Sequence, residues 1–221
     1  MKTKALIFDF DGLILDTETP EFQVWQAIYR DYGHELSAET WGQVVGGWGI
    51  SDFDAARYLV ELARDGLNAE ELRARHKFES EALILLQPIL PGVVNYLDEA
   101  RRLDLRLAIA SSSQHSWVDS HLARLGLADR FEAVICADDV PPGCTKPKPD
   151  LFLKALEATG MGADEAIVFE DSPHGVRAAR AAGIFVVAVP NPLTARLKFE
   201  GADLTLESLA DLPLQDMLNL R

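Results

Sequence analysis

Short apolar runs recur along the chain, each stopping at a polar or small residue and each followed by apolar positions spaced three and four apart. Five runs, at 5–10, 106–110, 133–137, 166–169 and 185–189, are short and rich in β-branched or aromatic residues, which predicts strands. Helical spacing lies between them: 92–102 after Pro91, 117–125 before Gly126, 150–159 before Gly160, and 175–182 before Gly183. Strands alternating with helices predict a parallel sheet with crossover helices, an α/β fold with a Rossmann-like core.

One interval breaks the alternation. Between the first and second strands the chain runs for about 90 residues without a strand pattern, where a crossover needs only a dozen or more. Helical periodicity at 21–32, 52–64 and 69–86 fills the interval, with Phe53, Ala56, Leu59, Val60 and Ala63 on one stripe. The expected organisation is a core of residues 1–15 and 88–221 with an inserted α-helical cap at 16–87. Leu15-Asp16-Thr17 and Gln87-Pro88 would be its hinges, since proline cannot continue a helix. No internal repeat or low-complexity segment interrupts this order.

Composition narrows the function classes. The 221 residues, 48% hydrophobic and 25% charged, suit an ordinary globular chain and exclude disordered and fibrous classes. Thirty-five acidic against 21 basic side chains give a net charge of −14, which should repel a phosphate backbone, so no nucleic-acid partner is expected. A small anion stays open, because one metal ion and a few local cations can reverse the field inside a pocket. Asp9 and Asp11 interrupt the first apolar run, and no run approaches the ~20 residues of a membrane span, so a cytoplasmic protein without a membrane partner is expected. Cys136 and Cys144 lack a metal-ligand pattern and read as free thiols.

The acids, hydroxyls and lysine fall where the strands end. Asp9 and Asp11 close the first, Ser111 to Ser113 the second, and Glu170 and Asp171 the fourth, while Lys146 lies in a proline-framed loop before the helix at Asp150. Ligands of an open parallel sheet bind outside the carboxyl ends of its strands. Period-2 geometry would leave Asp9 and Asp11 on one side, where two close carboxylates call for a cation or a shared proton. Magnesium, taking carboxylates, a carbonyl and substrate phosphate, suits that need, with Asp171 as a third oxygen donor. Ser111 and Ser112, near a helix start, offer a hydroxyl and backbone N–H groups to a phosphate oxygen. Singly, the acids read as turn formers or helix caps, the serines as an N-cap and Lys146 as a solvated loop charge. Together they form a set for phosphoryl transfer, where positioning and charge stabilisation dominate.

With these motifs the sequence resembles the haloacid dehalogenase superfamily, in its helical-cap phosphatase and phosphomutase branch. Asp9-Phe10-Asp11-Gly12-Leu13 with Asp16-Thr17-Glu18, Ser111 after Ile109-Ala110, Lys146-Pro147-Lys148-Pro149-Asp150, and Phe169 through Gly175 carry the likeness over nearly the whole chain. The resemblance implies that Asp9 is the nucleophile forming an aspartyl-phosphate and that Asp11 is the general acid and base. It further implies Mg²⁺ held by Asp9, the backbone carbonyl of Asp11 and Asp171, with Glu170 behind them. Ser111 and Lys146 would bind the phosphoryl oxygens. For Asp11 to donate a proton, its pKa must lie above that of an exposed carboxyl.

The cap would select the substrate. Where sugar phosphomutases of this branch carry a cap-helix histidine, this chain has Glu21, and the segment Gly46 to Ser51 has no arginine; both departures favour hydrolysis. Trp48 is expected either to face the substrate or to anchor a turn, and Glu18 either to line the passage between cap and core or to start the first cap helix. Lys77 and Arg75 read as a solvated helix face or an anion contact, and His115 and His174 as helix-start residues. The expected activity is a Mg²⁺-dependent phosphatase for a small phosphorylated metabolite, a sugar phosphate or nucleoside monophosphate. A β-phosphoglucomutase-like mutase and a non-catalytic binding protein of the same fold are the rival readings. A monomer is expected, with a dimer left open.

Overall fold

The computed structural model describes residues 3–41, 53–63 and 66–221. Six parallel strands form one sheet: β1 (Ala5–Phe8), β2 (Arg106–Ala110), β3 (Ala133–Ile135), β4 (Ala166–Glu170), β5 (Phe185–Ala188) and β6 (Leu204–Thr205), in the order β3-β2-β1-β4-β5-β6. Ala5 pairs with Arg106 on one side and Ala166 on the other, so β1 lies at the centre. β2 and β3 lie on one side of it and β4, β5 and β6 on the other. The connections therefore diverge at the β1/β4 boundary, which is the crevice of this topology.

Side chains alternate between the faces of the sheet. Leu6, Phe8, Leu107, Ile109, Ile167 and Phe169 share one cluster with residues of α5 (Val93–Arg102), α6 (His115–Leu125) and α9 (Leu214–Leu218). Ile7, Ala108, Val168 and Val186 share another with residues of α7 (Asp150–Thr159) and α8 (Pro173–Ala181). Both faces are covered, which explains why the central strands are apolar throughout instead of alternating.

The interval between β1 and β2 contains α1 (Glu18–Asp31), α2 (Ala38–Trp41), α3 (Ala55–Ala63) and α4 (Ala69–Ile84). Its described residues have their own apolar cluster, in which Phe22, Trp25, Ile28 and Tyr29 of α1 meet Trp41, Ala56, Leu59 and Leu72. The Tyr29 hydroxyl donates to the carbonyl of Ala55, at 2.7 Å. The two chain segments leading into and out of this helical unit run side by side: Leu15 bridges Ile89, and Leu90 N donates to Ile14 O at 2.9 Å. Among the described residues, no helix is long and apolar enough to cross a membrane.

Several boundaries differ from the sequence expectation for local reasons. β1 ends at Phe8 rather than residue 10, because Ile14 N and Leu15 N both turn back onto Phe10 O and Gly12 takes φ +78°. β3 and β5 end two and one residues early, whereas β4 continues through Glu170, which pairs with Ala188. α1 begins at Glu18, three residues early, behind Thr17 at the N-cap. α8 begins at Pro173, where Ser172 caps Gly175 N and proline tolerates the first turn. α6 begins at His115, and the short elements α2, α9 and β6 carry too few residues to show a period.

Candidate active site

The buried strand β1 delivers Asp9, 7% exposed, to the carboxyl edge of the sheet. Asp9 N donates to Phe169 O at 3.0 Å, holding the chain beside β4 one residue beyond the strand. The turn at Gly12 then presses the backbone against Asp171. A Cβ built at residue 12 would lie 2.1 Å from Asp171 Oδ2, and its positive φ also favours glycine.

Lys146 arrives from the opposite side on its proline-framed loop, with a cis bond to Pro147. Its ammonium lies 2.5 Å from Asp9 Oδ1 and 2.6 Å from Glu170 Oε1. Glu170 is fully buried, and its second oxygen accepts from Ser172 N and Oγ at 3.1 and 3.0 Å. Gly175 makes room for it, since a Cβ there would fall 1.8 Å from the Glu170 carboxyl carbon.

Asp171 Oδ2 accepts from Asn191 Nδ2 at 2.8 Å, and the same amide nitrogen donates to Glu18 Oε2 at 2.7 Å. Backbone N–H groups of Leu193 and Thr194 donate to Asn191 Oδ1 at 2.9 and 3.0 Å. An oxygen so occupied leaves the nitrogen facing the acids. Oxygens of Asp9, Glu170 and Asp171 all lie within 4.8 Å of one another.

Asp11 is held separately. Ser113 Oγ reaches its Oδ2 at 2.7 Å, Ser111 Oγ lies 3.4 Å from the same oxygen, and Trp117 Nε1 donates to Oδ1 at 2.8 Å. Ser113 N donates to Ser111 Oγ at 3.0 Å, so one turn before α6 organises both hydroxyls. Ser112 points away and is exposed.

The electrostatics follow from so many acids around one ammonium. Burial, then the charge of Asp9, raises Asp11, only partly opposed by the hydroxyl and indole donors. Burial, then Glu18 and Asp9, holds Asp171 well above the usual carboxylate range, and burial and Asp9 bring Glu170 to about 7. Burial works against the Lys146 ammonium, but Asp9 and Glu170 more than offset it and raise its pKa. The helical unit contributes two more acids from the first turn of α1. Burial lifts Glu18 to about 8, against the Asn191 donor, and lifts Glu21 to about 7 with help from Asp11.

The structure thus gathers Asp9, Asp11, Glu18, Ser111, Lys146, Glu170 and Asp171. Ser113, one of the hydroxyls that close the second strand, joins them, as do Trp117 and Asn191, which the sequence did not single out. Trp48 lies outside the described residues. Arg75 pairs with Asp31 and Glu79 at 2.6 and 2.8 Å, and Lys77 lies 3.9 Å from Glu81, so both charges sit in ion pairs of the helical unit. His115 opens α6 between Asp119 and Asp139, His174 lies in the first turn of α8 beside Arg177, and both cysteines are free thiols.

Three comparisons bear on this geometry. A family model described as haloacid dehalogenase-like hydrolase matches residues 6–189. YhcW of Bacillus subtilis is 43% identical over 98% of this chain and 96% of its own. Fructose-1-phosphate phosphatase YqaB of Escherichia coli is 34% identical over 84% of this chain and 95% of its own. Among solved structures, a conserved haloacid dehalogenase-like protein of unknown function from Agrobacterium tumefaciens, ATU0790, is 28% identical with a TM-score of 0.78, covering 99% of this chain and all of that one.

Proposed function

The chain belongs to the haloacid dehalogenase-like hydrolases, and on that premise we propose that it is a Mg²⁺-dependent phosphatase releasing phosphate from a small monoester, a sugar phosphate or a nucleoside monophosphate. One relative, YqaB, is named for such an activity on fructose 1-phosphate. The observation that carries the reading is the convergence of the Asp9, Glu170 and Asp171 carboxylates at the crevice of the sheet, with the Lys146 ammonium bound to both Asp9 and Glu170.

In the first half-reaction an oxygen of Asp9 bonds to phosphorus while the ester P–O bond breaks. Asp11 gives its proton to the departing alkoxide, a task suited to a carboxyl whose pKa is raised. In the second, a water oxygen bonds to phosphorus, Asp11 takes the water proton, and the Asp9–phosphorus bond breaks. Dividing the displacement in two replaces one difficult step by two easier ones. Lys146 and the Ser111 hydroxyl hold phosphoryl oxygens, and Lys146 also restrains the charge of Asp9.

The donor set fits a hard cation. Both Glu170 oxygens are committed, one to Lys146 and one to Ser172, whereas Asp9 and Asp171 each keep an oxygen outside the hydrogen bonds described. Asp9, Asp171 and the backbone carbonyl of Asp11 would hold Mg²⁺, with Glu170 orienting Lys146 behind them. When bound, the ion supplies positive charge that eases the approach of a phosphate to a carboxylate. Residues 16–87 act as the cap over this site, moving about the paired segments at Leu15 and Ile89.

The test is phosphate release from a panel of sugar and nucleoside monophosphates with Mg²⁺, in wild type and Asp9→Asn. We expect turnover and an acid-stable, hydroxylamine-sensitive phosphoenzyme in wild type and neither in the variant. Isomerisation without phosphate release would point to a mutase. Silence across the panel would point to a binding protein.

A further inference from the structure

Resting on the phosphatase reading, we propose that the part of the substrate beyond the scissile phosphate is an uncharged, hydroxyl-bearing group, held by Glu18 and Glu21, and that substrates with a second phosphate or a carboxylate are refused. The inference starts from what stands over the reacting centre. Glu18 and Glu21 lie one turn apart on α1, the first bonded to Asn191 of the core and the second close enough for the charge of Asp11 to act on it. Asn191 fixes the first of them by one oxygen, at 2.7 Å, through the amide that also holds Asp171. The other Glu18 oxygen and the whole Glu21 carboxyl have no hydrogen-bond or ion-pair partner among the described residues. Both residues are half-buried, so these oxygens face the open space beside the core site, where the hydroxyls of a ligand can replace water as their partners.

Hydroxyl groups meet that requirement whether the carboxyls are ionised or protonated, because a hydroxyl both donates and accepts. A second phosphate does not. Among the described residues, Lys146 is the one cation that touches the carboxylates of this site, and Asp9 and Glu170 already occupy it. Residues 42–52, in the interval between α2 and α3, include no lysine, arginine or histidine. An anion seated beside α1 would be set against two acids with no counter-charge among the described residues. Like-charge juxtaposition of this sort costs enough to serve as a selectivity device.

The experiment compares kcat/KM of the wild-type enzyme with Mg²⁺ on matched pairs: hexose monophosphates against hexose bisphosphates, and glycerol phosphate against phosphoglycolate. We expect the charged member of each pair to be poorer by at least ~100-fold. Glu21→Arg, checked for folding by its melting curve, should narrow that gap at least tenfold by supplying the missing cation. If charged and neutral members are hydrolysed equally well, the inference falls and the phosphatase reading stands. If neither is hydrolysed, the phosphatase reading falls first and the inference with it. Should Glu21→Arg not fold, competitive inhibition of the wild type settles the matter: a bisphosphate binding as tightly as the monophosphate overturns the inference.

Discussion

Two glycines show how little room the carboxylates are given. Gly175 exists where any side-chain carbon would occupy the position of the Glu170 carboxyl. Gly175→Ala must therefore displace a buried acid held by Lys146 and by the backbone and hydroxyl of Ser172, and overpacking of this kind costs about 1–3 kcal/mol. We expect a melting temperature lower by roughly 5 °C in calorimetry, together with reduced kcat, because Lys146 loses its second anchor. An unchanged melting temperature would mean that the Glu170 pocket yields easily. At this scale the acids and the lysine were readable in the sequence, since each closes a strand or sits in a proline-framed loop. Asn191 and Trp117 were not. Asn191 reaches Glu18 across 173 positions of chain, and Trp117 reaches Asp11 across 106, so no local spacing announces either contact.

Among the elements, α1 and α4 meet through a stacked pair, Trp25 and His76, with ring centroids 4.4 Å apart, while His76 Nε2 lies 3.0 Å from Glu21 O. Burial holds the His76 imidazole below its ordinary range despite that carbonyl. A histidine depressed in the folded state contributes stability that is present above its unfolded pKa, near 6.5, and is lost as pH falls through the folded value. The melting temperature of wild type relative to His76→Gln should thus decline as the pH is lowered from about 7.5 to about 5.5. Parallel curves for the two proteins would show that protonation of His76 does not oppose folding. The long elements were legible because three-to-four spacing repeats over several turns, as in α7, whose bounds match the sequence reading. The starts of α1 and α8 were not, because the Asp16 side chain accepting from Thr19 N and Ser172 accepting from Gly175 N depend on how the preceding segment hands over the chain.

For the molecule as a whole, Asp9, Glu170 and Asp171 converge where a single lysine, Lys146, pairs with two of them, in a chain of net charge −14. A cation that binds only the folded form stabilises it by mass action, about 2.7 kcal/mol at a hundredfold excess over Kd. Mg²⁺ should raise the melting temperature by roughly 5 °C or more over an EDTA-treated sample, and Asp171→Asn should abolish the difference. Equal melting in both conditions would exclude a magnesium site at these carboxylates. The fold class was legible at this scale because strands alternate with helices on both sides of the helical interval. The order β3-β2-β1-β4-β5-β6 was not, since a two-residue β6 leaves no pattern to read.

The adjacency of Leu15 and Ile89 has a consequence for how such a protein can vary. Because the polypeptide leaves the sheet and returns to it at neighbouring points, the sheet is indifferent to how much chain is strung between them. Helices there can be lengthened, trimmed or exchanged without re-threading a single strand, so the carboxylates at the edge of the sheet stay fixed while the helical unit is remodelled.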